Sequence, residues 1–174
     1  MDEILSVTLS NLGKIVNVNN NLYVFCESLI ILWFFKRIGM VLSRRLFIIL
    51  GISFAIFWIT ENFIISKIIY VGSYFRIYYS FVIVIVSIST VNHLIVTEKK
   101  TLIKLPVFVI SIGFIIYFTY KILVEAFWVY GLNNTASFRG HVYLIMDWLN
   151  LFVNLLFAFA ILWIPRKREY LLLS

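Results

Sequence analysis

Charge is scarce in this chain, as are the residues that cross-link or punctuate a soluble domain. Of 174 residues, 13% are charged, and there are only two prolines, two histidines and one cysteine. The single cysteine, Cys26, excludes an intramolecular disulfide and a cysteine cage for a metal, and it leaves the redox compartment open. The eight acidic residues are dispersed, several near the termini, and the histidines His93 and His141 fall near opposite ends of the apolar runs. A metal centre or catalytic triad is hard to assemble from that inventory. The sequence also lacks H-E-x-x-H, G-x-S-x-G and a Walker loop. It is therefore expected to be neither an enzyme nor the holder of a cofactor. No polar stretch is long enough to form a second domain.

What fills the chain is apolar: 63% of its residues are hydrophobic and the mean hydropathy is +1.01. A soluble domain of this length has nowhere to bury such a fraction, so a membrane is the natural solvent. The net charge of +7 does not point to nucleic acid, because the cations cluster in short segments between apolar runs. That distribution is a topology signal, and no direct nucleic-acid binding is expected.

Five runs are long enough to cross, given that a helical span needs about 20 residues. They are Leu22–Phe35, Leu46–Ile69, Ile77–Val96, Leu105–Phe127 and Val142–Ile164, the first reaching spanning length only with its Asn-rich lead-in. Before them, Met1–Asn21 has apolar positions at helical spacing (Ile4, Leu5, Thr8, Leu12, Ile15), which predicts a short amphipathic or irregular segment at the interface. With no basic n-region and no A-x-A-like site, it does not read as a cleavable signal peptide. Asn17–Asn21 predicts a turn or a helix entry there. The expected fold is all-α, a polytopic bundle over residues 22–165 followed by a basic tail at 166–174.

The loop charges orient the bundle. Lys36, Arg37, Arg44 and Arg45 lie between spans one and two, Lys99, Lys100 and Lys104 between spans three and four, and Arg166, Lys167 and Arg168 after span five. The opposite ends carry Lys14, Lys67, Arg76 and Arg139, thinly spread. The positive-inside rule then puts the N-terminus out and the C-terminus in the cytoplasm, as expected for a bacterial inner-membrane protein. Tyr70, Tyr74, Trp128 and Tyr130 near the outer ends, and Trp33 and Trp163 near the inner ones, suit interfacial belts. The basic inner segments would also contact anionic lipid. The Asn133-Asn134-Thr135 sequon is expected to be incidental, because glycosylation needs a eukaryotic lumen.

Ionisable groups inside spans are the best pointers to function, since each costs several kcal/mol unless paired or hydrated. Span one carries Glu27, span two Glu61, span four Lys121 and Glu125, and span five Asp147. With the orientation above, all five fall in the outer half of the bilayer; Glu61 lies ~22 Å from the inner end of its helix. In span five, Tyr143, Asp147, Asn150, Asn154 and Ala158 recur at steps of three and four and share one helical face. The pattern predicts an outer polar pocket formed by Glu27, Glu61, Lys121, Glu125, Tyr143 and Asp147, with Asn150 and Asn154 deeper. Lys121–Asp147 and Lys121–Glu61 are the expected cross-helix ion pairs. The plainer alternative is that these groups only lock helix packing. A retinal-type Schiff base on Lys121 is a further chemical option, resting on nothing beyond one lysine and neighbouring carboxylates. His93, near the inner end of span three, reads as a hydrogen-bonded interfacial histidine.

Two stretches carry a resemblance: Asn20-Asn21-Leu22-Tyr23 followed by Glu27, and Asp147, Asn150 and Asn154 followed by Leu155-Leu156-Phe157-Ala158-Phe159. Across Asn19–Trp163 the chain resembles small bacterial multi-pass membrane proteins that are similar to the membrane-embedded sensory halves of signalling systems. It departs from them in having no leading spans and in carrying a basic tail where an output domain would follow. A weaker resemblance is to membrane accessory proteins of phage-defence and CRISPR systems, whose R-x4-6-H nuclease signature has no counterpart here. The resemblance implies a membrane-embedded accessory or sensor module with an outer pocket as its input, acting through a protein partner. The alternative is a homo-oligomeric channel or pore lined by span-five polar faces, possible only if several copies combine.

Overall fold

The computed structural model describes residues 2–39, 41–65, 67–97, 102–130 and 136–162, without the side chains of residues 2–14, Lys104, Ala136, Ser137, Arg139 and Tyr143. Its elements are α1 (Asp2–Ile38), α2 (Arg44–Ile59), α3 (Ser73–Thr97), α4 (Pro106–Val129) and α5 (Ala136–Leu162). α2 continues as a π-helical turn over Thr60–Ile65, and a single 3-10 turn, Leu102–Lys104, precedes α4. Among the described residues there is no strand, and five helices are long and apolar enough to cross a membrane.

Local chemistry sets the ends of these helices. Gly39, at φ +73°, ends α1 in the left-handed region that an L side chain disfavours. Ser43 caps α2, its hydroxyl accepting from the Leu46 N–H at 3.2 Å. Pro106 opens α4, where its missing N–H would have had no helical partner.

The core joins the first four helices. Leu32 and Phe35 of α1, Phe54 of α2, Tyr79 and Ile83 of α3 and Phe118 of α4 are buried together. Edge-to-face rings knit the layers, with Phe54–Phe75 centroids 6.1 Å apart and Tyr79–Phe118 5.8 Å apart. α3 and α4 form the most extensive helix pair, and α5 is attached chiefly through α4. At that seam Gly113 faces Phe157, and a Cβ built on the glycine would lie 2.7 Å from the ring. The glycine therefore lets an aromatic ring pack directly on the α4 backbone. Phe114 and Phe157 add a second edge contact at 5.2 Å.

Three expectations need revision. The helix does not turn at Asn17–Asn21: α1 runs unbroken through it, and the first span is Ile15–Ile38. The reason is that Asn17 and Asn21 direct their amides sideways to carbonyls of the 68–70 loop rather than competing for their own backbone. The second span gives up regular α geometry at Thr60 instead of continuing to Ile69. α5 begins at Ala136, six residues before the apolar run that marked it. The basic tail, Lys99, Lys100 and the Asn133–Thr135 sequon lie outside the described residues.

Candidate functional site: a polar cavity at one end of the bundle

The end of the bundle opposite Lys36, Arg37, Arg44 and Arg45 contains a cavity of about 700 Å³. Four helices put ionisable or polar groups on its wall: Asn20 from α1, Glu61 from the π turn, Arg76 from α3, and Lys121 and Glu125 from α4. Val71, Val124, Trp128 and Met146 supply an apolar lining between them.

Glu61 and Asn62 sit on the π turn, and both are buried. A π turn shifts side chains off the regular helical register and is often found at functional positions. Here it turns Glu61 onto the start of α3, where its carboxylate accepts the backbone N–H of Tyr74 at 2.9 Å and of Phe75 at 2.5 Å. Those N–H groups have no helical acceptor of their own, and the helix dipole favours an anion there. Gly72 makes the approach possible, since a Cβ at that position would lie 3.2–3.3 Å from the carboxylate.

Asn21 clamps the same end. Its amide nitrogen donates to Asn62 Oδ1 at 3.1 Å and to the carbonyls of Ile68 and Tyr70 at 3.0 and 2.7 Å. Its side-chain oxygen accepts from the Gly72 N–H at 3.3 Å, and its own carbonyl accepts from the Trp58 indole at 3.1 Å. One asparagine thus ties α1 to α2 and to the loop that leads into α3.

Two ion pairs cross the bundle. Lys121 on α4 donates to Glu27 on α1 at 3.1 Å and to the Tyr79 hydroxyl, which itself donates to Glu27 Oε2 at 2.7 Å. The ammonium also lies 5.1–5.6 Å from the ring centroids of Tyr79, Tyr117 and Phe118. A desolvated cation gains from such ring faces. Arg76 on α3 donates to Glu125 on α4 at 3.1 Å. Its Nε and Nη2 are buried without a hydrogen-bond partner among the described residues, as are the hydroxyls of Ser80 and Ser111.

The residues singled out from the sequence therefore separate into two groups. Glu61, Lys121 and Glu125 line one cavity, and Glu27 is joined to it through Lys121. The expected pairs Lys121–Asp147 and Lys121–Glu61 are replaced by Lys121–Glu27, because the Lys121 side chain reaches α1, Asp147 is exposed on α5 and Glu61 is taken up by the start of α3. Asp147, Asn150 and Asn154 are exposed on α5 and, among the described residues, are not part of the cavity wall. The Tyr143 side chain lies outside the described residues. His93 is at the other end of α3, exposed, with Thr97 Oγ1 3.4 Å from its Nδ1.

Arg76, Tyr79, Asn21 and Asn62 were not anticipated as parts of the site. Arg76 carried the one available signal, a cation four positions into an apolar helix, but it resembled a boundary charge. Tyr79 had none, since an aromatic residue in a span is ordinary core.

Among the described residues no three His, Cys, Asp or Glu side chains cluster as metal ligands would. What the wall offers is alternating cations and anions beside apolar surface, a chemistry suited to a small ligand with both donors and acceptors. No family model matches the chain, and neither a curated protein nor a solved structure matches it, so the site is read from its own residues.

Proposed function

We propose that this chain is a membrane-embedded accessory or sensor module of the bacterial inner membrane, with the cavity at the outer side as its input and protein partners as its output. The observation that carries the reading is the way cavity and scaffold share residues: Lys121 and Glu125 line the cavity and also form the ion pairs that bridge α4 to α1 and α3. A ligand that engages either residue competes with a helix–helix contact. Occupancy would thereby bias helix packing, which is what a sensory bundle requires. The basic segments at Lys36–Arg45 support an outward-facing cavity by the positive-inside rule.

The test uses a Cys26→Ser background carrying Val71→Cys, at an exposed residue on the cavity rim. An impermeant thiol reagent added to intact cells is expected to label it, and the reconstituted protein is expected to carry no ion flux in liposomes. Labelling only after permeabilisation, or a flux that depends on the protein, would overturn the reading.

A further inference from the structure

α5 carries its polar residues on the wrong side for a self-contained bundle. Val153 and Ala160 are buried, and Phe157 packs on Gly113, which defines the face turned to α4. At about 100° per residue, Asn150, Asn154, Asp147 and Ala158 lie about 60 to 140° around from Val153. All four are exposed. The apolar span of this helix is Gly140–Leu162, whose middle residue is 151, so Asn150 and Asn154 lie within about 5 Å of mid-depth.

At that depth there is no water to satisfy an amide. The Asn154 amide donates to Asn150 Oδ1 at 3.2 Å, which uses one donor and one acceptor of the pair. The Asn150 amide nitrogen, the Asn154 oxygen and the Asp147 carboxyl have no hydrogen bond among the described residues. Polar groups inside a bilayer face protein or a water-filled path rather than lipid.

We propose that this stripe is the interface of a two-fold homodimer in which α5 packs in parallel against α5 of a second copy, with Asn150 and Asn154 hydrogen-bonded across the axis. A second copy with the same topology places the same residues at the same depth, which an arbitrary partner does not. The amide is self-complementary, being both donor and acceptor, so an asparagine can pair with its own image. The small Ala158 side chain one turn below Asn154 allows the two helices to approach. The stripe is separate from the cavity, to whose wall α5 contributes Met146 but none of Asp147, Asn150, Asn154 and Ala158.

Oxidative cross-linking in native membranes tests it, in a Cys26→Ser background. Ala158→Cys, on the stripe, is expected to form a disulfide-linked dimer, whereas Phe152→Cys, exposed about 160° around the helix from both asparagines, is not. Adding Asn150→Leu and Asn154→Leu to Ala158→Cys is expected to weaken dimerisation at least about tenfold. The unmodified protein in mild detergent is expected at twice 20.5 kDa. A monomer in native membranes and detergent, equal cross-linking at both positions, or a larger ring that conducts ions would each overturn the proposal. The leucine variants keep the test independent of folding, because they remove exposed side chains that hydrogen-bond to no other helix among the described residues.

Discussion

In α1–α4, Asn21, Glu27, Glu61 and Glu125 each reach across to another helix or loop, whereas in α5 Asn150 and Asn154 reach only one another and Asp147 reaches nothing described. Both regions contain polar residues in apolar helices, and both would look alike on a hydropathy plot. They differ in what the fold provides as partner. In the four-helix part most of these groups find partners on neighbouring helices, with Arg76 Nε and Nη2 and the Ser80 and Ser111 hydroxyls the exceptions among the described residues; α5 is attached along one side and presents the other. The difference teaches that a polar residue in a span marks either an internal joint or an external one, and only packing says which.

The sharpest way to break the comparison is at Lys121. Lys121→Met leaves the Glu27 carboxylate partly buried without its cation, and loss of one partner from such a pair typically costs about 3–5 kcal/mol. A large drop in thermal stability, followed by tryptophan fluorescence in detergent, is expected. Combining it with Glu27→Gln should restore much of the loss, because the uncompensated charge is then gone.

A smaller effect is expected at the seam between the two regions. Gly113→Ala sets a methyl group against the Phe157 ring, and overpacking of this kind costs about 1–3 kcal/mol. The expected signature is detachment of α5, read as faster proteolysis or hydrogen exchange in residues 136–162 while α1–α4 stay protected. Equal loosening of all five helices would show that α5 belongs to the same cooperative unit.

The smallest effect belongs to α5 itself. Asn150→Ala with Asn154→Ala should change the stability of the isolated monomer by less than about 0.5 kcal/mol, since both side chains are exposed and neither hydrogen-bonds to another helix among the described residues. A loss comparable to that at Lys121 would mean the stripe is an internal joint after all.

Much of the fold was legible beforehand. The five apolar runs, the basic segments between them and the carboxylates interrupting them are properties of composition along the chain, and each span appears within a few residues of its expected place except where local chemistry intervened. Asn17–Asn21 misled because asparagine in isolation favours turns; it continues the helix here since the 68–70 loop supplies carbonyls for its side chains. Glu61, Lys121 and Glu125 were recognisable as site residues because charge is costly in a span. Their partners were not recognisable: the i, i+4 spacing of Lys121 and Glu125 says that they share a face of α4, not which helix meets each of them.

By itself the sequence determined that this is a chain of helices long and apolar enough to span a membrane, because solvent preference is summed residue by residue and needs no partner. The tertiary structure decided that Lys121 belongs to Glu27, that Arg76 belongs to Glu125, and that the α5 stripe faces out of the bundle. Those outcomes depend on how helices rotate and pack against one another. Burial and hydrogen bonding act at distances of a few ångströms, and residues 94 positions apart come within that range only once the bundle has formed.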